Sequence, residues 1–590
     1  MRFNFYLIAL LIFGNICVQA QETILPKGLT EAEKVLLKDY VYPVYEGRSN
    51  IFTAPDGPVR VMAEWEEMQA IVITWTGYPV VLAEIVRHAK KECRVIILTN
   101  NIESTRNYLG ARDIDEENVT FLNAPYNTVW IRDYGANAVY LNEVDSLILV
   151  DWIYNRPRPN DDLSPGYVAD LMGLPLFVTG EAPSDLVNTG GNFMSDGLGK
   201  GFSSYLVLDE NKAGNSFGVT AKTEEVIDSI MQVFMGVHTY VKMPNLPFDG
   251  IHHIDMHMKL LDEETLLMGE YPEGISDGPQ IEANLQYVLS QFKSAFGTDF
   301  KVIRIQMPPD ANNRYPSGGG RYRTYTNSLI VNKTVLVPVY EERYDSTALR
   351  IYQEAMPGYN IVGIDCNDII RAGGAIHCIT KEIGVADPLL INHQPLKDHT
   401  EDEESLAFRA KIRHRSGIES AILHFTSDTT EGFASAEMTL VDPENHIYEV
   451  ELASLAGKRN STPFYYYIEA IANNGKTITR PMPGPQGPWK FETALQTSAT
   501  FSIVSDVKMG SAFPNPASAI TCIPVFSDRN QQANIRLTDM LGRTQQMIFN
   551  GHLPQGESKY FLQAQDFAPG LYLITLETPE GASSQKLLIR

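Results

Sequence analysis

Two unbroken apolar runs, Ala70-Ile-Val-Ile-Thr-Trp75 and Arg94-Val-Ile-Ile-Leu-Thr99, flank an amphipathic stretch from Val81 to Lys91. Runs without polar alternation predict strands covered on both faces, and the stretch between them predicts a crossover helix, so the region opens as a βαβ unit. Downstream a looser unit recurs, in which a Gly, Asn or Asp turn precedes two short apolar strands. Its copies begin near Trp130, Gly190, His253, Thr326 and Gly373, a period of roughly 50 to 70 residues. Five such units can close into a ring, and residues from different units then meet at its axis. The alternation of strand-like and amphipathic stretches runs over residues 51–395 and predicts an α/β domain.

From about residue 400 the texture changes to short alternating strands, Ser420–Phe425, Ala436–Leu440 and Phe464–Ala470, with a tight turn at Asn474-Gly475. This predicts a small all-β sandwich of immunoglobulin type over residues 396–500, with Pro481–Pro488 as a loop. Residues 501–590 form a further β-rich unit. Its motifs Phe513-Pro-Asn-Pro516, Leu537-Thr-Asp-Met-Leu-Gly542, Pro569-Gly570-Leu-Tyr572 and Lys586-Leu-Leu-Ile-Arg590 resemble, in order and spacing, the C-terminal sorting domain of the type IX secretion system. That resemblance implies a β-sandwich and the secretion machinery as a partner.

The other end begins Met1-Arg2-Phe3, continues with an apolar run to Phe13 and reaches Val18-Gln19-Ala20. A basic start, short apolar stretch and small-residue exit predict a signal peptide over residues 1–20 rather than a transmembrane segment. Export to the medium or the outer surface of a bacterium follows. Residues 21–50 are polar and mixed and read as a pro-segment or arm, in which Arg48 is either a processing site or part of a surface loop. A chain of 590 residues needs several cores. Its net charge of −24 disfavours nucleic acid and anionic membranes and favours a cationic substrate.

Beyond the signal stand Cys93, Cys366, Cys378 and Cys522, too scattered for a disulfide framework or a metal cage, so neither metal nor other cofactor is expected. Three of them read as buried small hydrophobes. Cys378, in Gly373-Gly374-Ala-Ile-His377-Cys378, follows a glycine pair that permits a sharp turn and is expected to present a nucleophilic thiol at a strand start. In His253-Ile254-Asp255, taken as extended, base and carboxylate share one face, whereas His377 is expected to point away from Cys378. Asp133, in Trp130-Ile-Arg-Asp133, adds a second carboxylate beside an apolar wall, the alternative being an Arg132–Asp133 surface pair. A thiol, a histidine and two carboxylates suit guanidine chemistry. The carboxylates hold the planar cation by paired hydrogen bonds while the thiolate attacks its carbon and the histidine moves protons. Crowded carboxylates are expected to disfavour the thiolate and to raise the pKa of His253.

The elements Ala63-Glu-Trp65-Glu, Trp130-x-x-Asp133-x-Gly135, Gly190-Gly191-Asn192, His253-x-Asp255 and Gly373-Gly374-x-x-His377-Cys378 together resemble the superfamily of agmatine deiminases and bacterial peptidylarginine deiminases. The resemblance spans about residues 60 to 390. It implies a five-bladed α/β propeller of the pentein type, Asp133 and Asp255 as guanidinium ligands, His253 as acid and base, Cys378 as nucleophile and Asn327 as a further active-site residue. In Ile153-Tyr-Asn-Arg156-Pro-Arg158-Pro-Asn-Asp-Asp162 each proline pushes the arginine before it out of the helical region. Two cations, Arg156 and Arg158, beside a guanidinium pocket fit a substrate that also carries a carboxylate, with Trp130 as pocket wall. This resembles the Porphyromonas-type branch, which shares the order signal, deiminase, immunoglobulin-like domain, sorting domain. Gly250 departs from that pattern, which has tyrosine there.

The resemblance implies citrulline formation from peptides or proteins with C-terminal arginine, a reaction of a virulence-type exported enzyme. A small-guanidine deiminase for agmatine or free arginine is the alternative, and a non-catalytic adhesin on the same scaffold a third. The loop Asn312–Arg323 is either a lid or a surface excursion.

Overall fold

The computed structural model describes residues 25–47, 50–397, 405–453, 462–493, 507–539 and 542–590. The expected signal segment 1–20 and Arg48 lie outside these residues.

The two unbroken apolar runs form the strands Met68–Thr74 and Arg94–Thr99, parallel neighbours joined by the helix Pro79–Ala89. Pro79 stands in the first turn, where a missing N–H costs no intrahelical bond. The helix buries Val81, Leu82, Ile85, Val86 and Ala89 on one stripe against the sheet.

The remaining units repeat one plan, an antiparallel pair followed by a helix and a parallel third strand. It is built by Asn137–Leu141, Ser146–Tyr154 and Leu176–Thr179, then by Met194–Ser195, Lys200–Ser204 and Thr239–Met243. Next come Met258–Leu260, Thr265–Glu270 and Lys301–Gln306, and then Leu329–Val331, Thr334–Val339 and Asn360–Asp365. The short antiparallel link and the helical crossover follow from pairing geometry, since a parallel neighbour needs a long return.

The copy after Gly373 differs from expectation. Its first strand, Lys381–Gly384, pairs antiparallel with Met68–Thr74 at the other end of the domain, while Leu390–Asn392 pairs with Ser405–Arg413 in the next sheet. A register shift at Gly384 and the missing N–H of Pro388 end the ladder there, so the chain leaves one sheet and joins another. The start and end of the α/β region thereby complete one shared unit of the same plan.

Beyond it, strands Leu390–Asn392, Ser405–Arg413, Ile447–Ala453 and Thr439–Asp442 form one sheet, and Ala434–Glu437, Ile418–Thr426, Thr462–Ala472, Thr477–Arg480 and Trp489–Thr493 another. Their common core includes Phe408, Leu423, Phe464, Tyr466 and Phe491. Asn474 and Gly475 lie at the turn between Thr462–Ala472 and Thr477–Arg480. The expected strand 436–440 is not one strand, because the chain passes from one sheet to the other at Met438. Residues 507–539 and 542–590 form two further antiparallel sheets around Ile535, Leu537, Tyr560 and Leu562. Among the described residues no helix is long and apolar enough to cross a membrane.

The C-terminal sheets rest on the α/β region through Arg304, which is buried, 2.7 Å from Glu282 and beneath the rings of Tyr560 and Phe549 at 5.0 and 5.7 Å. Burial pushes the nearby Glu270 carboxyl up to about 8, so Glu282 is the anionic partner at neutral pH. Arg304→Met should therefore cost about 1.5–3 kcal/mol, the range for a charge-assisted hydrogen bond, because Glu282 retains contact with solvent. Urea titration of parent and variant measures it, and limited proteolysis should show the C-terminal region cut first in the variant.

Candidate active site

Asp133, His253, Asp255, Asn327 and Cys378 each stand in a turn entering the first strand of a repeated unit. Asp133 lies on the one-turn helix Ile131–Tyr134 ahead of Asn137–Leu141, and Gly190–Asn192 form a 3-10 turn ahead of Met194–Ser195. His253 caps the 3-10 turn Ile254–Met256 ahead of Met258–Leu260, Asn327 precedes Leu329–Val331, and Cys378 lies in the turn His377–Ile379 ahead of Lys381–Gly384. Equivalent turns of different sheets converge, so residues far apart in sequence share one buried pocket.

Asn327 holds the nucleophile turn from both sides. Its Oδ1 accepts the N–H groups of Ala375 and Cys378 at 3.2 and 3.3 Å, and its Nδ2 donates to Cys378 Sγ at 3.1 Å. Cys378 Sγ is 3.5 Å from Asp255 Oδ2, and Asp133 Oδ1 is 3.4 Å from His253 Nδ1 while accepting the Gly191 N–H at 3.2 Å. A Cβ on Gly191 would lie 2.5 Å from His253 Nδ1 and 2.8 Å from Asp133 Oδ1, and one on Gly374 would lie 2.8 Å from Cys378 Sγ. The absence of a side chain is what lets these groups close on one another.

Several local expectations change. Cys378 does not open a strand, and His253 and Asp255 do not alternate along one, because 3-10 turns carry both motifs; His253 and Asp255 converge all the same. His377 does not stand idle. Its Nδ1 is 2.9 Å from Asp255 Oδ2 and its Nε2 2.9 Å from Glu64 Oε2, so it ties one pocket carboxylate to a second acid behind it. Arg132 and Asp133 form no surface pair, since both are buried and Arg132 meets Glu382 at 2.5 Å. Gly250 is exposed with open space around its Cβ position, so packing does not demand glycine there. In the loop Asn312–Arg323, Arg323 is buried and donates to Pro309 O at 2.9 Å and to Asn367 Oδ1 at 2.8 Å, which anchors its C-terminal end.

The pocket is occupied by the chain itself. Lys27, fully buried, reaches in from the N-terminal segment and places Nζ 2.9 Å from Cys378 Sγ and 3.6 Å from Asp255 Oδ1. Arg156 and Arg158 do not form a solvated loop. Both are buried, Arg156 Nε donating to Lys27 O at 3.2 Å and Arg158 Nη2 to Pro26 O at 2.8 Å and Gly28 O at 3.3 Å. Arg158 Nε also donates to Glu33 Oε1 at 2.7 Å, and Trp130 Nε1 donates to Leu25 O at 3.1 Å.

Burial, strengthened by Asp255 and Asp133 and opposed by Lys27, pushes the Cys378 thiol up to about 12. Burial raises Asp133. It acts on Asp255 in the same sense, but Lys27 and the His377 hydrogen bond outweigh it and hold that carboxyl below the usual range. The expected rise at His253 is reversed. Burial and the charges of Lys27 and Arg156 drive it well below its ordinary value despite Asp255. His253 is thus neutral and able to accept a proton. Among the described residues no cluster of three or more His, Cys, Asp or Glu is placed to hold a metal ion. Cys93, Cys366 and Cys522 are buried free thiols, as expected.

A buried thiol facing a cation pocket lined by two carboxylates and a neutral histidine is equipment for covalent hydrolysis of a cationic amidine. The family match gives the class. A family model described as Porphyromonas-type peptidyl-arginine deiminase matches residues 60–383, over half the chain, and the chain belongs to that family of deiminases. A secretion system C-terminal sorting domain matches residues 511–590, marking the chain as an exported or cell-surface bacterial protein of the type IX route. A Vibrio parahaemolyticus protein named "Putative agmatine deiminase" is 26% identical over 330 residues, 51% of this chain and 86% of the relative. A Marinomonas protein of the same name is 26% identical over 377 residues, 57% of this chain and 97% of its own. Among solved structures, agmatine deiminase of Enterococcus faecalis aligns at TM-score 0.48 and 19% identity, covering 58% of this chain and 99% of that one.

Gly191→Ala should lower turnover about a hundred-fold, the scale of an ångström-sized misplacement of reacting groups, because the new methyl group separates His253 from Asp133. Steady-state rates test this alongside thermal melting. A folded Gly191→Ala protein with parental kcat would show that those two side chains need no close approach.

Proposed function

We propose that the chain is an exported peptidylarginine deiminase converting arginine, preferentially at a peptide C-terminus, to citrulline and ammonia. The reading assigns residues 51–395 as the deiminase domain, a five-bladed α/β propeller whose blades are the repeated units. Residues 396–500 form an immunoglobulin-like domain, and 501–590 the sorting domain. The position of Lys27 Nζ carries the reading. Lysine Nζ and arginine Cζ stand the same number of bonds from Cα, so this atom marks where an arginine's electrophilic carbon would come, 2.9 Å from Cys378 Sγ. That is about the separation of a near-attack arrangement.

In the proposed mechanism Asp133 and Asp255 bind the guanidinium, whose charge offsets theirs beside the protonated thiol. Neutral His253 takes the thiol proton as sulfur attacks the carbon. It returns that proton to the departing ammonia and then draws one from the water that displaces sulfur and releases citrulline. Asn327 holds the nucleophile turn and Trp130 walls the pocket. The groove favours peptides over agmatine, because the contacts of Arg156, Arg158 and Trp130 run to main-chain carbonyls that agmatine lacks. The C-terminal preference rests on Arg156 and Arg158, two buried cations aimed at a peptide's main chain.

Cys378→Ala should abolish citrulline formation, since no other thiol among the described residues stands at the cation, while far-ultraviolet circular dichroism stays parental. On matched peptides, free C-terminal arginine should turn over far faster than amidated or internal arginine. Arg156→Ala and Arg158→Ala should each cost about 2–5 kcal/mol on the free acid only, roughly thirty-fold to several thousand-fold in kcat/KM. Equal parental rates on free-acid and amidated peptides, read by mass spectrometry, would remove the C-terminal preference.

A further inference from the structure

Cys378, Asp255, Trp130, Arg156 and Arg158, at the proposed substrate groove, are engaged by the chain's own segment Leu25–Glu33. We propose that this segment is a built-in, substrate-like inhibitor, with Lys27 filling the guanidinium pocket and Glu33 standing in for the substrate's carboxylate, so that the enzyme is latent until the segment is displaced. The inference rests on the deiminase reading for the identity of the substrate. The occupancy itself does not depend on it.

The fit is detailed. Main-chain contacts continue on both sides of Lys27. Leu25 O accepts from Trp130 Nε1 at 3.1 Å, and Lys27 N donates to Ala372 O at 3.0 Å, beside the nucleophile turn. Lys27 O accepts from Arg156, and Pro26 O and Gly28 O both accept from Arg158. The segment then enters the helix Glu31–Leu36, whose capping box from Thr30 fixes Glu33, and both Glu33 oxygens face Arg158 at 2.7 and 3.3 Å. One segment thus supplies a cation to the carboxylates and a carboxylate to Arg158, the two charges a C-terminal arginine carries.

Lysine suits an inhibitor for a chemical reason. Its ammonium offsets Asp255 and Asp133 as a guanidinium would, yet it has no electrophilic carbon for sulfur to attack. It also fills the space before Cys378, which is fully buried, so neither substrate nor reagent reaches the thiol while the segment stays.

Glu33→Lys, which sets a cation against Arg158 and leaves every pocket residue in place, and Lys27→Ala test the proposal in the full chain. The readouts are citrulline formation on a C-terminal arginine peptide and the rate at which iodoacetamide labels Cys378, followed by peptide mapping. Both should rise ten-fold or more in Glu33→Lys, and labelling should rise in Lys27→Ala. The exposed Lys34→Ala on the same helix should match the parent. Parental labelling and turnover in Glu33→Lys overturn the proposal, and so does a fall of both rates in Lys27→Ala, which would make Lys27 an activating cation. Faster labelling of Cys378 without citrulline on any peptide upholds the occluding segment and sinks the deiminase reading instead.

A variant that unfolds labels Cys93, Cys366 and Cys522 as well, so Lys27→Arg, which keeps the charge of the occupant, supplies a second test. Here the sulfur–carbon bond forms, the carbon–nitrogen bond breaks with loss of ammonia, and water replaces sulfur, leaving citrulline at residue 27. Mass spectrometry should find that conversion in Lys27→Arg and not in Lys27→Arg with Cys378→Ala. Arginine that stays intact at residue 27 while free peptides turn over would refute the substrate-like placement.

Discussion

The folded α/β region depends on charge balance in a place without water. Asp133, Asp255, His253, Cys378 and Lys27 are all buried together, and an isolated charge there would cost several kcal/mol. The balance extends beyond the pocket in layers. Asp255 is tied through His377 to Glu64, and Glu64 meets Lys259 at 2.7 Å; Arg132 meets Glu382 at 2.5 Å, with Lys381 beside it. Asp255, Glu64 and Glu382 are each met by a cation from a different part of the chain, which couples the pocket to the assembly of the whole domain. Such pairing fixes geometry more than it adds stability, because desolvation offsets most of the attraction.

Topology decides where the chemistry sits. A turn entering the first strand of a sheet is rigid at one end and free to vary at the other, so it can carry a side chain without disturbing the ladder behind it. Gly190 and Gly191 make one such turn that carries no functional side chain and instead admits those of its neighbours. A Cβ on Gly190 would fall 1.9 Å from Arg132 O, within the backbone of the Asp133 turn. Their contribution is closeness, and it explains why a glycine pair recurs beside the histidine and again beside the cysteine.

Much of this was legible in the chain. The unbroken apolar runs told of doubly covered strands, and the repeated turn-strand-strand pattern marked all five turns that supply the pocket, because a period visible in hydrophobicity reflects repeated pairing. What the pattern could not carry was three-dimensional. Alternation along an extended strand would turn His377 away, and the 3-10 turn that stands there instead brings its ring onto Asp255. The carboxylate neighbours of His253 alone would raise its pKa. Burial and two cations, one brought from residue 27 and one from residue 156, reverse its direction. Lys27 gave no local signal, since a lysine in a polar segment looks solvated and only its partners reveal otherwise.

The pocket's resting electrostatics are therefore those of an occupied site. With a cation in place, Asp255 is held ionised, His253 is held neutral and the thiol remains protonated because burial outweighs the single ammonium beside it. A guanidinium differs from that ammonium in shape rather than in charge. It spreads the same charge over a plane that two carboxylates can grip at once, and it brings carbon, not nitrogen, to the sulfur. The step from resting to reacting thus needs no change of net charge in the pocket, only an occupant whose central atom accepts an electron pair.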